Sequence, residues 1–356
     1  MNHRAKSHIY WFAPYNLSCP STRYRGKYPL EYLHQEKQIS YDFVWPEKSL
    51  AAILNFLKLL LEILFFRKPN SLVVIQKIYT KRFYANLLKL LVYLRKENTL
   101  YDLDDAEYYR WPAETLNFFI KHCQFVQVGS EALLEYCLQW NPNVTLATSP
   151  VIAHEHRKTQ KSHKPVLGWV GDFGNGRDIC RAFSHKTNLY QLFFSKLAAI
   201  QYPVKLVLIG VKNQSDIPEL QALFAKYPHI ELEIPTDLNW WDDSWLYGKI
   251  VEFDIGLSPL VSHPFNEAKS AFKAKQYLSC GVPVVASDIG ENNKFIIDGA
   301  NGFLCEDPDG FIDAIDQIVD MDKQSYTALV DRALATEEQF SLGRYCGALI
   351  EKLLVC

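Results

Sequence analysis

One stretch limits what this chain can fold into: Pro264–Ser287, PFNEAKSAFKAKQYLSCGVPVVAS. It reads as a loop, a helix, a two-residue turn and a buried strand. Gly281 closes the helix, because a residue without a Cβ takes the left-handed C′ conformation without strain. Pro283 then blocks continuation of the helix. Val282, Val284, Val285 and Ala286 form an apolar run that suits a parallel strand covered on both faces. Lys269, Ser270 and Lys273 fall where the helix begins. Backbone N–H groups at a helix start, with lysines beside them, make a site for an anion.

The rest of the chain repeats this alternation. Short apolar runs predict strands at Ile9–Ala13, Tyr41–Trp45, Leu72–Ile75, Thr99–Leu103 and Phe125–Val128, and again at Val166–Val170, Val204–Ile209 and Asp254–Pro259. Helical patterns lie between them, so an α/β fold with parallel sheets wound on both faces is expected. Residues 150–165 (PVIAHEHRKTQKSHKP) are polar and bracketed by prolines. They mark a boundary between domains at 1–150 and 165–335.

Ligand sites in such folds lie beyond the carboxyl ends of the strands, and clefts between domains are favoured. The loop after the first strand, CPSTRYRGK, carries Ser21, Arg23, Tyr24 and Arg25; arginine forks well onto carboxylate or phosphate. The fourth strand runs into DLDDAEYY, placing Asp104 and Asp105 at its mouth. They read either as carboxylates for chemistry or as caps of the next helix. GDFGNGRDI follows Val170, and its glycines, with Arg177 among them, allow close backbone approach to a ligand.

Residues 1–100 hold 16 Lys/Arg and 6 Asp/Glu, whereas the remainder holds 22 and 34. A basic front half suits an anionic neighbour, such as a membrane surface or a phospholipid-linked acceptor, or it is plain solubility charge. Nucleic acid is not expected, because the basic residues are not interleaved with a reading element. The helix Lys48–Lys68 is apolar apart from a stripe of Asn55, Lys58 and Glu62. Its central charges argue against a membrane span. That leaves a core helix, the preferred reading, or a helix lying in a membrane interface. Arg82–Lys96 is a second apolar helix with basic ends.

Eight scattered cysteines without a C-x-x-C pair argue against a zinc ribbon or a disulfide scaffold, and for a reducing cytosol. His154 and His156 lack the further ligands a metal needs. The first residues lack the apolar core of a signal peptide. The expected location is cytoplasmic, at the inner face of the membrane if the basic half binds there.

The segments FDIGLSPL, FNEAKSAFKAKQYLSCGVPVVASDIGEN and IIDGANGFL together resemble the donor-binding half of GT-B glycosyltransferases of the family 4 (group 1) type. Lys273, Tyr277, Gly281–Ser287 and Asp298–Leu304 carry the likeness, with GWVG, CPSTRYR and LYDLDDAEY in support. The resemblance implies two Rossmann-like domains facing a cleft, with a last helix, 340–356, returning to the front domain. It implies transfer of a sugar from a nucleotide diphosphate sugar to a glycan or lipid-linked acceptor, with retention and without metal or cofactor, in cell-surface polysaccharide synthesis. Gly171, Arg177, Asn266, Ser270, Lys273 and Gln276 would then hold the donor. Ser21, Arg23, Tyr24 and Arg25 would face the acceptor, with Asp104, Asp105 and Glu267 as the catalytic candidates.

Two positions depart from that family. Gln276 stands where many relatives place a glutamate on the ribose, and Ala268 stands at the other glutamate position, with Glu267 one place off. These departures keep open a second reading, a GT-B scaffold that binds nucleotide without turnover. A GT-B sugar-nucleotide epimerase ranks last.

Overall fold

Each apolar run predicted as a strand forms one, and the strands assemble into two separate sheets. The computed structural model describes residues 7–77, 81–174, 183–239 and 241–355. The first sheet holds β1 (His8–Phe12), β2 (Ser40–Val44), β3 (Ser71–Gln76), β4 (Thr99–Leu103), β5 (Phe125–Val128) and β6 (Val144–Leu146). Its order is β2-β1-β3-β4-β5-β6, with every pairing parallel. The second holds β7 (Val166–Val170), β8 (Val204–Ile209), β9 (Ile230–Glu233), β10 (Ile255–Ser258), β11 (Val284–Ser287) and β12 (Gly302–Cys305), in the parallel order β12-β11-β10-β7-β8-β9. The chain divides into two units, residues 1–152 with 268–270 and 340–356, and residues 153–267 with 271–339.

In the first unit all of β1 is buried, because helices cover both faces of the sheet. On one face Ile9, Trp11, Leu72 and Val74 pack with Leu30 and Leu33 of the helix Tyr28–Lys37, and with Tyr345 and Leu349 of the helix Leu342–Val355. Alternate residues point to the other face. There Phe12 meets Phe56 of the helix Leu50–Phe66 edge-on at 5.0 Å, and Phe56 meets Tyr84 of the helix Arg82–Leu94 at 4.7 Å.

Two expectations change. The segment after β1 is not an open loop: Thr22–Lys27 is a π-helix that runs directly into Tyr28–Lys37. Gly26 sits against the indole of Trp11, where a Cβ would fall 2.9 Å from Nε1, so the tight coil can press onto β1. The two apolar helices are core on one side only. Phe56, Leu59, Leu60 and Ile63 are buried, while Leu54, Leu61, Phe65, Leu90 and Tyr93 are exposed. No helix among the described residues is long and apolar enough to cross a membrane.

In the second unit Leu167, Trp169, Leu206, Leu208, Ile255, Leu257 and Val285 line one sheet face and pack on the helix Pro308–Asp320 through Phe311, Ile315 and Ile318. The helix Phe272–Ser279 ends as the sequence requires. Gly281 adopts φ +74°, the Val282 N–H donates to the Tyr277 carbonyl at 3.0 Å, and the Gly281 N–H to Leu278 at 2.9 Å. That paired closure is the Schellman arrangement. The polar segment 150–165 is not a free linker. Lys158 is buried and pairs with the buried Asp254 at 2.8 Å, and Asp254 also accepts from the Ser162 and Val166 N–H groups.

Candidate functional site: the strand mouths of the two sheets

The carboxyl ends of β7, β10 and β11 gather the second unit's candidates. The helix Phe272–Ser279 starts after Ala271, which takes a left-handed φ of +51°, and no side chain caps it. Its first turn therefore presents backbone N–H groups and the positive end of the helix dipole. Lys273 stands in that turn. Its Nζ lies 3.1 Å from Nε2 and 3.2 Å from Nδ1 of His185, and 5.5 Å from the ring centroid of Trp169. Gly171 makes this possible: a Cβ there would fall 2.8 Å from Lys273 Cε and 2.7 Å from the Trp169 ring. Gly171 and Lys273, 102 positions apart in sequence, thus share one site.

Asn266 and Glu267 close the short helix Pro264–Glu267 after β10. Asn266 is buried; its Nδ2 donates to the Val261 carbonyl at 2.9 Å and to Asn188 Oδ1 at 3.3 Å. Asn266 Oδ1 and Asn188 Nδ2 are buried without a hydrogen-bond partner among the described residues. Buried polar atoms left in this state cost free energy, and a bound ligand can satisfy them. Glu267 accepts from Ser262 Oγ at 3.1 Å. Its carbonyl packs against Gly290, whose φ of +53° and missing Cβ permit the close approach. The loops after β10 and β11 therefore meet at Glu267.

Ser270 departs from its expected place. It belongs with the first unit, where its Oγ donates to Ser149 Oγ at 3.2 Å and its carbonyl accepts from Thr148. The carbonyl of Ala268 likewise accepts from Ser130 Oγ at 2.7 Å. Gln276 is 4% exposed, on the buried side of its helix. Arg177 and most of its glycine-rich turn, residues 175–182, lie outside the described residues.

At the mouth of β4 in the first unit, Lys77 joins both aspartates. Its Nζ lies 2.7 Å from Asp104 Oδ1 and 2.7 Å from Asp105 Oδ2. Ser21 Oγ donates to the other Asp104 oxygen at 2.7 Å. Burial opposes the charge on Asp104, but Lys77, Arg25 and the bonds from Lys77 and Ser21 outweigh it, so its pKa lies below the usual carboxylate range. Neither aspartate caps a helix by side chain, since the short turn Glu107–Tyr109 is preceded by Ala106 without a cap bond. The Asp105 side chain is 34% exposed against 9% for Asp104.

The four residues expected to face an acceptor are largely used inside the fold. Arg25 is sealed from solvent: Nε and Nη2 donate to Asp102 at 2.9 and 2.6 Å, and Nη1 donates to the Ala147 carbonyl at 2.9 Å and to Ser149 Oγ at 3.2 Å. Tyr24 is buried edge-on to Tyr28, and the buried Arg23 donates to the Leu17 carbonyl at 2.7 Å. Ser21 hydrogen-bonds to the carboxylate pair, and Arg25 acts on Asp104 through its charge. Sequence reading also missed Lys77, His185, Trp169 and Asn188. They fall on a strand (Trp169), just past one (Lys77) or in the first turn of the helix His185–Leu192, where a core residue reads the same as a site residue.

Residues 165–321 match the family model described as Glycosyl transferases group 1. No curated protein matches the chain. Among solved structures, it is similar to sucrose-phosphate synthase from Thermosynechococcus elongatus, with 13% identity, a TM-score of 0.72 and coverage of 98% of this chain and 100% of that one. It is similar to Anabaena HepE in complex with UDP, at 13% identity and a TM-score of 0.63, over 98% and 100%. A lipopolysaccharide outer core galactosyltransferase, WaaB, gives 13% identity and a TM-score of 0.65 over 98% and 99%. At these identities the likeness establishes the fold, which is GT-B.

Proposed function

We propose that this chain, a GT-B protein whose residues 165–321 form a glycosyl transferases group 1 domain, moves a sugar from a nucleotide diphosphate sugar to a glycan or lipid-linked acceptor. One observation carries the reading: Lys273, in the first turn of an uncapped helix, folds over Gly171 beside His185. That arrangement suits a diphosphate. The helix N-terminus and the ammonium would stabilise the negative charge that builds on the leaving diphosphate as the glycosidic bond breaks. A cradle of this kind supplies the charge that a metal supplies elsewhere, so we propose metal-independent transfer. The HepE complex with UDP is consistent with a nucleotide donor.

We place the donor sugar near Asn266 and Glu267, where Asn266 Oδ1 could accept a hydrogen bond from a sugar hydroxyl and Asn188 Nδ2 could donate one. Retention of the anomeric configuration and a role in cell-surface polysaccharide synthesis complete the proposal. On the acceptor side we assign Asp105 to the hydroxyl, as the more exposed carboxylate. Asp104 is held ionised by Lys77, so its part is to position Lys77 and Ser21 and not to act as a base poised near neutral pH. A panel of UDP-, GDP-, ADP- and dTDP-sugars tests the reading by melting temperature and turnover; neither binding nor turnover with any of them would remove it. The buried Gln276 favours one second reading, a nucleotide-binding scaffold. Binding without turnover is its signature.

A further inference from the structure

The helices Leu50–Phe66 and Arg82–Leu94 lie side by side on the first unit, joined through Phe56 and Tyr84. Their outer faces are unusual. Leu54, Leu61 and Phe65 follow one another at helical spacing on the first helix, and Phe83, Leu90 and Tyr93 are exposed on the second. Phe65 is 69% and Tyr93 78% exposed. Large apolar side chains gathered in this way mark an interaction surface.

Charge identifies what covers it. Residues 48–96 hold ten Lys/Arg and a single acidic residue, Glu62. One of the ten, Lys77, is buried and paired with Asp104 and Asp105, and the other nine flank or interrupt the apolar faces. Lys48, Lys58, Arg82, Arg95 and Lys96 are exposed. Apolar side chains bordered by cations match an anionic bilayer, whose headgroups attract the basic rim while the interface takes up the apolar groups. A second copy of the same face would bring two strongly positive surfaces together. Neither helix is long and apolar enough to cross the bilayer, so the contact lies in its plane.

We propose that the paired outer faces of these two helices dock this protein on an anionic lipid surface, with Leu54, Leu61, Phe65, Leu90 and Tyr93 entering the headgroup layer. The inference gives a physical site to the lipid-linked acceptor of the proposed transfer, yet vesicle binding needs no nucleotide, so the two readings fail separately.

Co-sedimentation tests it, using phosphatidylcholine vesicles with and without phosphatidylglycerol, at low and high salt. Binding is expected only with phosphatidylglycerol, and part of it should survive high salt through the apolar contacts. Leu61→Glu with Phe65→Glu should weaken it about tenfold or more, at an unchanged melting temperature, since both positions are exposed. Lys58→Glu with Arg82→Glu should weaken it about tenfold as well, because each cation near the surface contributes to the attraction. Tyr93→Ser gives a milder variant should the double changes perturb folding. No sedimentation at low salt, equal binding to both vesicle types, or unaltered binding by all the variants would overturn the proposal. So would a dimer in solution that the Leu61/Phe65 variant abolishes.

Discussion

Arg25 and Asp102, both sealed from solvent, form a two-pronged ion pair, with Nη2 2.6 Å from Oδ1 and Nε 2.9 Å from Oδ2. Tyr345, from the far end of the chain, adds a bond from its hydroxyl to the Arg25 carbonyl at 3.0 Å. The pair therefore ties the π-helix, β4 and the last helix together. Removing one partner leaves a buried charge unpaired, so Arg25→Ala should destabilise the first unit by about 3–5 kcal/mol. Urea unfolding measures it, and an unchanged midpoint would show that the pair contributes nothing. Donor binding by folded Arg25→Ala protein should be unaffected, since Arg25 serves the fold.

Gly171→Ala tests the close approach in the second unit. The new methyl would fall 2.7 Å from the Trp169 ring, which is held in the core, and 2.8 Å from Lys273 Cε, which can move. The lysine should be displaced from His185 and donor affinity should fall, and because the buried indole must shift as well, overpacking should cost about 1–3 kcal/mol of stability. Titration calorimetry with nucleoside diphosphates decides it. Equal affinity would mean that Gly171 only makes room for the indole.

His154 should make stability depend on pH. Burial, with help from Arg157 and His156, lowers its pKa from 6.5 to about 4. The folded protein keeps this ring neutral while the unfolded chain protonates it, so protons favour unfolding across that window. Stability from this group is complete above pH 6.5, falls as the pH drops towards about 4, and levels off below. His154→Gln retains a partner for Ser279 and removes the titration. Thermal melts of the variant should show a shallower slope over that interval; an identical slope would assign the titration elsewhere.

Gln276→Glu tests whether the ribose of a donor lies against the helix Phe272–Ser279. A carboxylate at a position only 4% exposed is costly without a partner, so the unliganded variant should melt lower than the parent. If the ribose of a donor reaches this position, the nucleotide should restore more stability to the variant than to the parent. Equal stabilisation of both would put the ribose elsewhere.

Much of the fold was legible because buried parallel strands are written as apolar runs, and because Gly281 and Pro283 admit one backbone path. β6 and β12 were not. Val144–Leu146 is a three-residue edge strand, and Gly302–Cys305 opens with a glycine pressed against the Val284 backbone, which reads as a turn. The π-helix has no periodic signature. It exists because Arg25 finds Asp102 77 positions away, and the same partnership turns an apparent ligand-binding arginine into a structural one. Lys158 shows the same limit, since only the fold pairs it with Asp254. Of the donor site, Gly171 and Lys273 were readable as residue types. Their meeting, and the presence of His185 and Trp169 beside them, depends on the order in which β7 and β10 pair.

The most direct test of the transfer reading is calorimetric titration of nucleotide diphosphate sugars into the parent protein and Lys273→Ala. The diphosphate cradle requires that at least one donor binds the parent, and that the variant, folded and of similar melting temperature, binds it about tenfold or more weakly through loss of a charge-assisted contact. Equal affinity of the two proteins for that donor would contradict it.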